Sequence, residues 1–108
     1  MVIDEVVIVL TTIPDAVDEV AFAEALVRER LAACVSVLPA MQSTYRWQGN
    51  VERSRERQVL VKTVRSRLDA LHEAVRARHP YEVPEWLVLS SSGGSDAYLG
   101  WVRECASG

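Results

Sequence analysis

The sequence predicts an α+β fold, a ferredoxin-like split β-α-β sandwich with one antiparallel sheet, helices on one face of that sheet, and an additional C-terminal helix. Apolar, β-branched stretches alternate with stretches of helical periodicity in the order β-α-β-β-α-β. The central strands flank the turn residues Gln48, Gly49 and Asn50, so they form a long hairpin. Ser95 and Asp96 follow the last strand and open the C-terminal helix.

The first part of the chain predicts a strand, a helix and a second strand. Residues 5–12 are a β-branched run without charges after its start, which is typical of a strand buried on both faces. Pro14 breaks this strand, and Asp15 can cap the helix that follows. Residues 34–38 form the next strand, which is interrupted at Pro39 because proline donates no hydrogen bond to a sheet. Apolar residues at helical spacing predict the buried stripe of the helix: Ala16, Val20, Ala23, Val27 and Leu31.

The predicted hairpin has a core half and a polar half. Its strands are residues 43–47 and 51–64, and only residues 59–64 have the composition of a protein core. A two-stranded ribbon as polar as the outer arm is poorly stable alone in water. We therefore expect a neighbouring subunit to support the arm.

Capping and proline signals predict the second helix and the last strand. Ser66, followed by Asp69 three residues later, resembles a capping box at the start of the helix. Pro80 disfavours the helical conformation at His79, so the helix stops there. Residues 86–89 continue as a strand. The buried face of the helix is predicted to contain Leu68, Leu71 and Val75.

Composition and charge exclude several classes of function. The chain of 108 residues fits one domain, residues 1–108. A net charge of −3 argues against nucleic-acid binding, which needs a basic face. No stretch approaches the roughly 20 apolar residues of a membrane span, and the start of the chain is not basic. We therefore expect a soluble cytoplasmic protein with no nucleic-acid or membrane partner. Its only cysteines, Cys34 and Cys105, are more often buried or free than bridged in such a protein.

The stretch HPYEVPE, residues 79–85, has two interpretations. Its prolines alone make it a joint between a helix and a strand. A joint does not require the imidazole of His79, the phenol of Tyr81 or the carboxylate of Glu85, which together could recognise a ligand. Lys62 is also unusual, because a charge within an apolar strand is costly unless it is compensated, here by Glu85 or by an anionic ligand in a cleft. The alternative is an edge lysine whose stem covers apolar surface.

The chain resembles the CutA family of divalent-cation tolerance proteins in the stretches RLAACVSVLPAMQSTYRWQGNVE, QVLVKT, HPYEVPE and YLGWV. The resemblance implies a trimer like that of the PII-type signal transducers, with the hairpin of residues 43–64 pairing between subunits. It implies a link to tolerance of copper and other divalent cations, through a module that binds a small ligand or a partner in a cleft between subunits. The candidate residues of that cleft are Thr11, Thr12, Lys62, His79, Tyr81 and Glu85.

Direct metal binding is the alternative function. Copper and zinc prefer several converging thiolate and imidazole ligands. Some family members carry cysteines where this chain has Thr11 and Ala74, so only Cys34 of that set is present. Cys34 and His79 are the candidate ligands for weak binding of copper or another divalent cation, with donors converging in the trimer. We expect that the protein requires no cofactor. We also expect no enzymatic activity, because no serine or cysteine in the sequence has an evident histidine base to activate it.

Overall fold

The computed structural model describes residues 3–108 and has the predicted α+β architecture. Its elements are β1 (Val6–Pro14), α1 (Glu19–Arg28), β2 (Cys34–Val37), β3 (Met41–Trp47), β4 (Asn50–Val64), α2 (Leu68–Ala77), β5 (Leu87–Ser90) and α3 (Asp96–Cys105). None of the helices within this range is long and apolar enough to cross a membrane.

The sheet is antiparallel and is built around β4. The strand order is β2-β4-β1-β5, and β3 pairs with the outer part of β4. β2 and β3 therefore lie along the same side of β4, separated by the break that was predicted at Pro39. β1 continues beyond residue 12, its predicted end, and stops at Pro14, which pairs with Glu56. Pro14 is the last residue of β1, where a missing N–H costs little.

The helix α1 begins later than predicted and buries another face. Its N-cap is Asp18, whose carboxylate accepts hydrogen bonds from the N–H groups of Val20 and Ala21. The expected cap, Asp15, instead forms ion pairs with Arg55 and Arg57. The buried residues of α1 are Phe22 and Leu26, whereas the predicted core residues Val20 and Val27 are 61% and 42% exposed.

The helix α2 has the predicted buried face but not the predicted cap. Leu71 and Val75 are fully buried in the core between α1, α2 and the sheet. The helix follows a 3-10 turn, Arg65–Arg67, and none of the side chains that the structure describes caps it. Ser66 does not cap the helix because both its hydroxyl and its N–H donate to the carboxylate of Asp4.

The helix α3 packs on the other face of the sheet, against a second apolar cluster that includes Val64 and Val102. Ser95 caps it as predicted, accepting a hydrogen bond from the N–H of Tyr98 at 3.2 Å. Beyond α3 the sheet presents an uncovered surface, the open face. Alternation and register along the strands assign to it Ile8, Leu10, Leu60, Leu87 and Leu89.

Candidate functional site

The loop of residues 79–85 is fastened to the end of β1. The hydroxyl of Thr11 donates to the backbone oxygen of Glu85 at 2.7 Å. His79 binds the backbone oxygen of Thr12 through Nε2 at 2.7 Å, and its Nδ1 accepts from the N–H of Tyr81 at 3.1 Å. Because Nδ1 accepts, these two bonds require the neutral tautomer with the proton on Nε2. The side chains of Thr11 and His79 thus form hydrogen bonds with backbone groups, and these bonds position the loop.

Gln58 is the central polar residue of this arrangement, and the sequence analysis did not identify it. Its Nε2 donates to the backbone oxygen of Thr11 and to Oε2 of Glu85, each at 2.7 Å. Gln58 is paired with Thr12 across the sheet. The available signal was a single amide directly before the apolar run VLVKTV, because a partly buried amide needs hydrogen-bond partners. Gln58 ties the carboxylate of Glu85 to β1.

Lys62 lies apart from the other candidate residues within one chain. It pairs with Ile8 in the β1–β4 register, four positions from Gln58, which corresponds to about 13 Å along the strand. Its Nζ lies 5.8 Å from the centroid of the Tyr98 ring. Among residues 3–108, Lys62 forms no ion pair with Glu85. The carboxylate of Glu85 accepts a hydrogen bond from Gln58 instead. Lys62 pairs with Ile8 of β1 on one side and with Cys34 of β2 on the other, so it is not on an edge strand as the alternative interpretation had it.

A cavity of about 630 Å³, which we call the arm groove, lies between the hairpin and the loop. It contains three of the predicted cleft residues, Thr12, Tyr81 and Glu85. Glu56 also lines it and is only 8% exposed, although the sequence analysis assigned this residue to the polar arm. The full lining is Thr12, Ser43, Tyr45, Trp47, Glu56, Pro80, Tyr81, Glu82, Val83 and Glu85.

The two candidate metal ligands do not meet. Cys34 is a free thiol on β2, paired with Lys62, and its Sγ lies 3.7 Å from the hydroxyl oxygen of Ser36. His79 lies beside Thr12 at the other end of β1, with both ring nitrogens engaged. Across the part of the chain that the structure describes, no three His, Cys, Asp or Glu side chains are grouped to hold a metal ion.

The fold and its hairpin define a class, the small α+β proteins represented by solved CutA structures. The CutA structure from Xylella fastidiosa superposes with a TM-score of 0.90 at 39% identity, covering 95% of this chain and 99% of that one. The structure of CutA from Synechococcus elongatus PCC7942 complexed with a Bis-Tris molecule gives a TM-score of 0.84 at 38% identity, covering 97% of each chain.

The sequence leads to the same class. The divalent-cation tolerance protein CutA of Thermus thermophilus is 48% identical over 99 residues, which are 90% of this chain and 94% of that protein. Residues 7–105 match the family described as CutA1 divalent ion tolerance protein. The chain belongs to the CutA1 divalent ion tolerance family.

Proposed function

We propose that the protein is a homotrimeric module that binds a small ligand or a protein partner in a cleft between subunits, and that it contributes to divalent-cation tolerance in this way rather than as an enzyme. The observation that carries the proposal is the open face of the sheet. Leu87 and Leu89 are 55% and 47% exposed on β5, which is an edge strand. Contiguous apolar surface beside an unpaired strand edge is typical of an interaction surface.

The hairpin gives the same indication. Trp47 is 43% exposed and Val51 is 59% exposed near the tip of the arm, where only β3 and β4 support each other. A neighbouring subunit that covers the arm and the open face would remove both from water. An obligate interface of this kind buries more than about 2,000 Å² in total.

The arm groove is the proposed ligand site. Its volume of about 630 Å³ is in the range of small-molecule pockets. The CutA structure from Synechococcus elongatus contains a small organic molecule, Bis-Tris. Copper capture by a single chain is the less favoured alternative, because Cys34 and His79 are separated and the His79 ring already binds two backbone groups.

Two measurements test the proposal. Light scattering at micromolar concentration should give a trimer, and Trp47→Ala should weaken it more than Arg53→Ala, its control on the opposite strand of the arm. A folded monomer of 12.0 kDa would refute the assembly. Thermal unfolding with copper alone, and separately with small metabolites, then distinguishes the ligand classes, since a ligand specific for the native state raises Tm. Stabilisation by stoichiometric copper, together with protection of Cys34 from alkylation, would favour direct metal binding.

A further inference from the structure

Two buried polar side chains of the arm groove have no partner within the described residues, 3–108. Glu56 is 8% exposed and Thr12 is 4% exposed. Neither the carboxylate of Glu56 nor the hydroxyl of Thr12 forms a hydrogen bond or ion pair with another residue of the range 3–108. Within that range, every side-chain oxygen or nitrogen that is fully shielded from solvent has a hydrogen-bond partner. The unpartnered oxygens of Glu56 and Thr12 are therefore not fully shielded, and they open into the groove that both residues line. The carboxylate of Glu56 thus reaches the groove from a side chain that is otherwise buried, where a cation in the groove would compensate its charge.

The arginines next to Glu56 in the sequence do not provide that charge. Side chains alternate along β4, so Arg55 and Arg57 point to the opposite face. There Arg57 pairs with Asp15 and Glu19, and Arg55 pairs with Asp15. No lysine or arginine lines the groove within residues 3–108.

The groove combines negative charge with aromatic surface. Glu82 and Glu85 add carboxylates to that of Glu56. Tyr45, Trp47 and Tyr81 supply the aromatic rings. The hydroxyl groups of Tyr45 and Ser54 form a hydrogen bond of 2.6 Å, which orients the Tyr45 ring. Aromatic faces and carboxylates together attract organic cations, because the quadrupole of each ring is negative at its face.

We propose that the arm groove binds an organic cation, a protonated amine or a quaternary ammonium, with Glu56 as its counter-charge and Thr12 as a hydrogen-bonding group beside it. The inference rests on the proposed ligand-binding function and names the chemical class of the ligand. A metal ion is a poorer match, because hard cations need about six converging oxygen ligands whereas this groove is wide and partly aromatic.

The test is calorimetric titration of the full chain in phosphate buffer free of amines. The probes are choline and putrescine, each paired with a neutral isostere, 3,3-dimethyl-1-butanol and 1,4-butanediol. At least one cation should bind about tenfold or more tightly than its isostere, as expected for a charge-assisted contact. Glu56→Gln should lower the affinity for that cation by a similar factor, roughly tenfold. Glu52→Gln removes the same charge from an exposed position on the same strand outside the groove lining, and it should change little.

Equal affinities for cations and isosteres, or equal effects of Glu56→Gln and Glu52→Gln, would overturn the inference. It would also be overturned if Glu56→Gln changed the oligomeric state without changing cation affinity, because the groove would then be filled by another subunit. Citrate and ATP serve as anionic probes in the same assay. Binding of an anion to an intact trimer, without cation binding, would leave the proposed module standing and refute the organic cation alone. A monomer that binds none of the probes would refute both.

Discussion

The substitution Thr11→Val tests the attachment of the loop to β1. Valine has nearly the shape of threonine, so the main change in this fully buried position is the loss of one hydroxyl. That hydroxyl donates to the backbone oxygen of Glu85 at 2.7 Å, and the oxygen accepts no other hydrogen bond from residues 3–108. Leaving a part-buried acceptor unpaired costs about 1 kcal/mol or more, and the added methyl group of valine offsets only part of that cost.

The control is Thr12→Val, one position further along the same strand. Its hydroxyl has no partner in the described chain, so without ligand its replacement should leave the free energy of unfolding nearly unchanged. Denaturant and thermal unfolding at one fixed protomer concentration measure both variants, since the proposed assembly would make Tm depend on concentration. For Thr11→Val we expect Tm to fall by roughly 4 °C or more. Equal effects of the two substitutions would refute the reasoning, because the bond to Glu85 would then contribute nothing.

Three further predictions concern packing, capping and assembly. Phe22→Ala should lower the free energy of unfolding by about 3–5 kcal/mol and Val20→Ala by less than about 0.5 kcal/mol in denaturant titrations, since only Phe22 is buried. Asp18→Ala should lower the free energy of unfolding by about 1 kcal/mol, because the N-cap of α1 is lost. Asp15→Ala should lower it less, because the ion pairs of Asp15 lie at the surface and are screened by solvent. The opposite order would contradict the assigned start of the helix. Leu89→Asp should produce smaller species in light scattering while far-UV circular dichroism keeps its native shape; an unchanged trimer would exclude the open face from the interface.

Elements with strong local signals could be predicted from the sequence. The turn at Gln48 and Gly49 adopts positive φ values at both residues, as a tight hairpin requires, and Ser95 caps α3 as its position before an apolar stretch indicated. The face of α1 could not be predicted, because its apolar residues are numerous enough to define two stripes. The choice of Phe22 over Val20 depends on how the helix lies on the sheet.

The candidate site was predicted only in part for a similar reason. The loop residues were identified because prolines isolate them, and the structure does bring Tyr81 and Glu85 together in one groove. Glu56 and Gln58 were missed because a polar strand does not reveal from composition which of its side chains face a cavity. Their burial follows from the pairing of β4 with β1, which is a long-range property of the fold.

The two-sided pairing of β4 has a consequence for local opening of the backbone. The inner residues, Val59 to Lys62, lie between β1 and β2, whereas residues 50–54 pair with β3 and with no other described strand. Resistance to hydrogen exchange therefore declines along one continuous strand, from the core towards the tip. The transition falls at Glu56, the residue where pairing with β1 begins. Because Glu56 also lines the arm groove, any tilt of the arm at this position would change the width of the groove while the pairing of the core strands is kept.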